Sequence, residues 1–341
     1  MTSPVEAVRV AIAGASSLLG KELSAWLGES NFPATDIRLV DEEFAAGTLT
    51  EAGGEPTVIE TVAPDSFDRV RFVFFTGSPG FSKRHVQEAS RAGAVVIDLS
   101  GGLIGEANVR PWLPSLDRVL AAPAASGIAG EPQSLFAALG APADAGVSIS
   151  AALAPAGLDR LVMTVLQPVS EFGANAVEGL EAQVVKLLSF QPISQIIFDA
   201  QIGFNTLSAF GPESGIKMED SRARIVAECG RYLKGRAPVP AIALVQAPAF
   251  HSHSFTAYAE FKSVPDLGDL AARLEHAGLK MTRAKDEPPT NINVVGEGRP
   301  VLRQPQRDPS IETGVWLWGA ADNLRVPVAT AVSIAEKLLA S

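Results

Sequence analysis

The chain has 341 residues, of which 47% are hydrophobic and 19% charged, too apolar a mix for a disordered or low-complexity protein. Acidic residues outnumber basic ones, 38 to 28. With no local Lys/Arg cluster either, a general phosphate-backbone binder is excluded and nucleic acid is not an expected partner. The single cysteine, Cys229, excludes an intramolecular disulfide framework and a zinc site built on several thiolates, and points to a reducing compartment.

At about 150 residues per domain, the length suggests two domains. No apolar run reaches the roughly 18 residues that a membrane helix needs, so no membrane partner is expected. Val8 to Ala15 is apolar, but it is short, preceded by Glu6, and offers only Arg9 as a basic region. It therefore reads as a buried first strand, Val8 to Ala13, and not as a signal peptide, which makes the cytoplasm the expected location. The strand runs into Gly14-Ala15-Ser16-Ser17-Leu18-Leu19-Gly20 and a helix from about Lys21 to Gly28. Further strands are expected at Ile37 to Val40, Val73 to Phe75, Val95 to Leu99 and Val119 to Ala122, with a helix around Ser82 to Ala92. This is the rhythm of βαβ units in a doubly wound, Rossmann-like parallel sheet.

After about residue 130 the texture changes. A long strand is expected over Leu161 to Val169, helices over Gly173 to Leu188 and around Asp220 to Leu233, and β runs at Ala241 to Ala247 and Ser254 to Phe261. Strands with helices on one side indicate an α+β domain with a mixed or antiparallel sheet. Gly314 to Ala321 reads as a strand and Val326 to Leu339 as an apolar helix that could return to either domain. Glu287 to Thr290 and Gly296 to Pro300 read as loops.

The first glycine loop has the strand, turn and helix context of a dinucleotide fingerprint, in which amides at a helix N-terminus face a pyrophosphate. Gly14 and Gly20 bracket the loop, and Ser17 stands where the second glycine usually does. Ser17 keeps the amide but adds a Cβ where a phosphate should approach. The alternative is a tight turn that only packs helix on strand. Asp41, 21 residues beyond Gly20, has the spacing of a carboxylate that accepts from a ribose 2′-hydroxyl, which favours NAD over NADP. It is equally a solvated acid in the run Asp41-Glu42-Glu43. Candidate cofactor contacts are Gly14, Ala15, Ser16, Ser17, Leu18, Gly20 and Asp41, together with Thr76 and Gly77 after the Val73 to Phe75 run.

Of the four histidines only His251 and His253 look chemically placed, two apart and on one side if the segment is extended. No third ligand is recognisable nearby, so no metal is expected. His253 is either a general acid/base, since imidazole titrates near neutrality, or a satisfied loop histidine. Cys229 falls inside the amphipathic pattern Arg224 to Leu233, where a packing or surface role is expected, because nucleophilic cysteines sit at loops or helix N-termini beside a base.

Taken in order, several segments resemble aspartate-semialdehyde dehydrogenase, and within that family its Usg-type branch. They are Gly14 to Gly20, Asn31-Phe32-Pro33, Ala94 to Asp98, Gln167 to Ser170, Ile225 to Leu233, His253-Ser254, Arg307 to Ser310 and Asp322 to Arg325. The resemblance implies a nucleotide-binding domain of residues 1–130 and 322–341 and a central α+β domain of residues 131–321 that carries catalysis and homodimerisation. It further implies an enzyme of amino-acid biosynthesis that catalyses NADP-dependent reductive dephosphorylation of aspartyl phosphate.

Within that resemblance, the catalytic parts divide. The family's nucleophilic cysteine lies in a turn that corresponds here to Ala122 to Gly127, which puts Ala125 at the thiol and Ala124 at the preceding asparagine. Ile104 stands for the phosphate-binding arginine, Gln246 for the carboxylate-binding arginine, and Phe44, ahead of Ala45-Ala46-Gly47, for the residue that grips the NADP 2′-phosphate. Retained are Gln167 as the substrate-facing glutamine, His253 as the acid/base, and Asn323 near the nicotinamide; Arg224 falls near a basic substrate contact. The expectation is a homodimeric binding or regulatory protein with weakened NAD or NADP binding. The alternative is an oxidoreductase with altered chemistry, acting by direct hydride transfer with His253, or more weakly with Ser126 as a nucleophile.

Overall fold

β1 (Val8–Ala13) is buried at every position except Arg9, a pattern that only a strand covered on both faces can hold. In the computed structural model, which describes residues 8–120, 134–283 and 285–340, β1 leads into α1 (Leu18–Glu29) and then β2 (Ala34–Asp41). A hairpin of β3 (Leu49–Ala52) and β4 (Glu55–Val58) and the short β5 (Glu60–Thr61) follow. β6 (Phe72–Phe75), α2 (Pro79–Arg91), β7 (Val95–Asp98), β8 (Arg110–Pro111) and β9 (Leu135–Ala137) complete the region. The order β5-β2-β1-β6-β7-β9-β8 makes one parallel sheet.

Alternation sorts its side chains to two cores. Val10, Ile12, Phe72, Phe74 and Phe136 face a cluster that includes Leu23 and Leu27 of α1 and Val328, Ala331 and Ala335 near the C-terminus. Ala11, Ala13, Val73, Phe75 and Val96 face the other, with Phe81 and Ala89 of α2. The expected strand at Val119 to Ala122 is not formed over its described part: Val119 and Leu120 both donate to Leu116 O in a turn, and β9 supplies the sheet's next strand. Local apolarity cannot tell a short buried strand from a buried turn.

The second region begins with α3 (Ala141–Leu153), buried at all 13 positions. It continues through β10 (Leu158–Gln167), α4 (Ala174–Leu188), α5 (Met218–Leu233), β11 (Ala241–Gln246), β12 (His253–Phe261) and α6 (Leu267–His276). The short β13 (Lys280–Met281), β14 (Val301–Leu302) and β15 (Gln306–Arg307) precede β16 (Gly314–Ala321), and the closing helix α7 (Arg325–Leu339) returns to the first unit from Pro327 on. The sheet, ordered β11-β10-β12-β16-β14-β13 with β15 on β16, is mixed: β10 runs parallel to β11 and antiparallel to β12. Helices α3, α5 and α6 pack together and α3 lies on β10.

The chain divides into two compact units, one holding the described residues of 1–114, 122–139 and 327–341, the other those of 115–121 and 140–326. Among the described residues no helix is long and apolar enough to cross a membrane.

Candidate functional site

In the first unit, β1 has β2 on one side and β6 on the other. The sheet's winding reverses there, and in open parallel sheets ligands bind outside the carboxyl ends of the strands at such a point. The turns after β1 and β6 close on each other: Gly14 has φ +93°, and a Cβ on it would lie 2.2 Å from Gly77 N. Only glycine meets both demands.

The loop's own atoms consume much of its hydrogen-bonding capacity. Ser17 caps α1, its Oγ accepting from Gly20 N at 2.9 Å and donating to Thr76 O at 2.8 Å. Its amide donates to Gly14 O. Thr76 Oγ1 donates to Gly14 O at 3.0 Å. The amides of Gly14 and Ala15 donate to Val40 O, and Ser16 N donates to Asp41 Oδ2 at 2.8 Å. What remains toward a ligand is the helix start, where the first amides, from Leu18 on, have no partner within the helix. The loop fits a pyrophosphate through those amides, with Asp41 buried beside it. Phe44, by contrast, is 82% exposed.

In the second unit, strand register brings the polar candidates to one end of the mixed sheet. Gln167 ends β10 opposite Gln246, which ends β11; His253 opens β12 opposite Ala321, the last residue of β16. Asn323 lies two residues beyond. Its Oδ1 accepts from Ser252 N at 2.9 Å and its Nδ2 donates to Ser170 Oγ at 3.0 Å, so it ties the chain before β12 to the turn after β10. Ser252 adopts φ +64°. The segment from His251 to His253 is therefore not extended, and the expected placement of both imidazoles on one side is corrected: His253 is fully buried while His251 is partly exposed.

The His253 ring sits 3.9 Å, at Nε2, from Glu171 Oε1. Neither ring nitrogen has a hydrogen-bond partner among the described residues. Arg224, on α5, donates to Glu171 Oε2 at 2.8 Å, and its Nε lies 4.0 Å from Glu228 Oε1 one turn on. Glu228 Oε2 in turn accepts from Gly140 N at 3.1 Å. Burial pushes the Glu171 carboxyl up, but the charge that His253 carries when it is protonated in acid, and the Arg224 guanidinium, outweigh it and hold the group below the ordinary carboxylate range. For His253 burial wins: desolvation of the imidazolium lowers its pKa despite Glu171. At neutral pH the result is an ionised carboxylate bonded to a guanidinium and lying beside a neutral imidazole.

Glu171 is the site residue that sequence reasoning missed. It directly follows the Gln167 to Ser170 segment, but its partner is 53 residues away, and only the packing of α5 brings them together. Gln246 is wholly buried; its Nε2 donates to Gln167 O and Ala247 O, both at 2.9 Å, and its backbone pairs with Leu207. Ile104 belongs to the first unit and packs in the apolar cluster with Leu103 and Val109. Ala124, Ala125 and Ser126 lie outside the described residues.

Residues 9–119 match the profile of the semialdehyde dehydrogenase NAD binding domain, and residues 150–326 that of the semialdehyde dehydrogenase dimerisation domain. A USG-1 protein homolog of Pseudomonas aeruginosa is 29% identical, with 97% of this chain and 98% of the relative covered. One of Azotobacter vinelandii is 26% identical, with 98% of each covered. The chain belongs to the aspartate-semialdehyde dehydrogenase family, on its Usg-like branch. A solved structure of a probable aspartate-semialdehyde dehydrogenase from Pseudomonas aeruginosa superposes with a TM-score of 0.83 at 27% identity, over 98% of this chain and 99% of that one. This aspartate-semialdehyde dehydrogenase homologue thus carries both of the family's domains, and Glu171, Arg224, Gln246 and His253 all fall within its dimerisation domain.

Proposed function

We propose that this family member no longer carries out the phosphorylating aldehyde dehydrogenase reaction and acts as a binding or regulatory protein. The observation that carries the reading is Cys229. The covalent route to a thiohemiacetal needs a thiolate presented to substrate, and the one cysteine of the chain is buried in the middle of α5. Burial and the neighbouring Glu228 and Asp144 charges push its thiol far above the ordinary range. Ala125, at the position that the resemblance assigns to the nucleophile, has no group that attacks a carbonyl.

Anion recognition points the same way. Ile104 is apolar and packed, Gln246 spends its amide on two backbone carbonyls, and the Arg224 guanidinium is shared with a resident carboxylate. Neither Ile104 nor Gln246 supplies the bidentate fork that orients a carboxylate or phosphate.

A nicotinamide dinucleotide is still a reasonable ligand for the NAD binding domain, held more weakly because the Ser16 and Ser17 amides are committed to Asp41 and Gly14. The dimerisation domain supports a homodimer, and the cytoplasm is the proposed location. The test is a steady-state assay of the recombinant protein with aspartate semialdehyde, phosphate and either nicotinamide cofactor, beside an active relative. No turnover is expected, and turnover comparable to the relative's would sink the reading.

A second reading, an oxidoreductase with altered chemistry, is favoured by one observation: a buried imidazole with both nitrogens unbonded among the described residues beside an ionised carboxylate. In it a bound nicotinamide cofactor would give or take hydride. His253 would exchange a proton at Nε2, Glu171 would steady the charge on the ring, and Arg224 would hold Glu171 ionised. Calorimetric titration with the oxidised and reduced cofactors separates the readings, since no binding at millimolar concentration would leave only the scaffold role.

A further inference from the structure

We propose that the nucleotide end of the first unit selects a dinucleotide with a free ribose 2′-hydroxyl, NAD(H), over one with a 2′-phosphate, NADP(H), and that Asp41 makes the choice. The proposal rests on the cofactor-binding reading above and reverses the preference that the family resemblance implies.

Asp41 ends β2, the strand beside β1 at the point where the sheet's winding reverses. Its side chain is fixed against the loop: Oδ2 accepts from Ser16 N and Oδ1 from Glu42 N, both at 2.8 Å. Each carboxylate oxygen has a second lone pair, so the group can still accept from ribose hydroxyls delivered along the loop. A 2′-phosphate meets the opposite conditions. The Ser16 amide already holds the Asp41 carboxylate.

The surrounding charge is acidic as well. Asp41, Glu42 and Glu43 are consecutive. The Arg84 guanidinium, which α2 carries toward this edge, is bonded to Glu42 Oε1. Arg38 spends its Nη1 on the carbonyls of Asp65 and Ser66. A dianionic phosphate at this edge would meet these carboxylates and would have to compete with Glu42 for the exposed Arg84 guanidinium, which disfavours it against a neutral hydroxyl.

The test is fluorescence titration of the full-length protein with NADH and NADPH, with 5′-ADP and 2′,5′-ADP as competitors. NADH is expected to bind at least about tenfold more tightly than NADPH, and 5′-ADP to compete better than 2′,5′-ADP. In Asp41→Asn, which removes the charge at nearly constant size, the NADH preference should shrink by at least about fivefold. If that variant does not fold, the wild-type ratio and the competitor pair still decide. Equal or tighter NADPH binding overturns the selectivity and leaves cofactor binding standing. An unchanged ratio in folded Asp41→Asn overturns the role of Asp41. No binding of either dinucleotide at millimolar concentration overturns both the proposal and the cofactor reading beneath it.

Discussion

The Glu171 carboxylate accepts a hydrogen bond from Arg224 at 2.8 Å across 53 residues of sequence, joining the turn after β10 to the middle of α5. A second carboxylate, Glu228, lies 4.0 Å from Arg224 Nε. With the imidazole uncharged, two carboxylates face one guanidinium, so the positive charge of Arg224 is spent inside the cluster.

That pairing should be measurable as a coupling energy. Both side chains are largely shielded, at 12% and 29% exposure, so the pair should be worth more than a solvent-exposed one. In a double-mutant cycle of Glu171→Gln and Arg224→Met, read by urea unfolding, each single change should cost about 1 to 3 kcal/mol with a coupling of at least about 1 kcal/mol. A coupling below about 0.5 kcal/mol would class it with ordinary surface pairs.

The same cluster sets a pH dependence whose sign follows from two depressed pKa values. Folded His253 refuses a proton that the unfolded chain accepts near pH 6.5, so stability should fall as pH drops below about 6.5, with a slope of up to about 1.4 kcal/mol per unit. Above that pH His253 contributes no slope. Folded Glu171 stays ionised below its ordinary range, so its contribution is full above about pH 4.3 and is lost as pH falls through the folded value. Urea midpoints should change little between pH 7.5 and 6.5 and decline from pH 6.5 to 5.5, and His253→Gln should flatten that decline. An equal slope in that variant would place the titrating group elsewhere.

What was legible in the sequence follows from which forces act locally. The strands β1, β6 and β7 and the helices α2, α4 and α5 were readable because their burial is periodic or continuous over a few residues. α3 was not anticipated: with all 13 positions buried it has no polar stripe to mark its period. Gln167, His253 and Asn323 could be named as candidates from motifs, and the structure brings them to one end of the mixed sheet. That His253 would face Glu171, that Ser252 would turn at φ +64°, and that Asp41 would grip Ser16 all depend on contacts between distant segments. No window of sequence reports them.

Cys229 offers the most direct physical check on the proposal that this chain presents no thiolate to a substrate. Its side chain is fully buried and packs near Ala143 O at 3.9 Å and beside Gly146, and its thiol is held protonated by desolvation, Glu228 and Asp144. Modification by a disulfide reagent at pH 8 needs both exposure and the thiolate, so in the native protein it should proceed only through opening of the second unit. Labelling should be slower than that of a free thiol by several orders of magnitude and should accelerate with urea along the unfolding transition. In full denaturant one equivalent should react at once. Cys229→Ser, which puts a hydroxyl in the same apolar position, should cost about 1 to 3 kcal/mol and Cys229→Ala less. Rapid native labelling would mean that the thiol reaches solvent and would overturn the case against covalent chemistry.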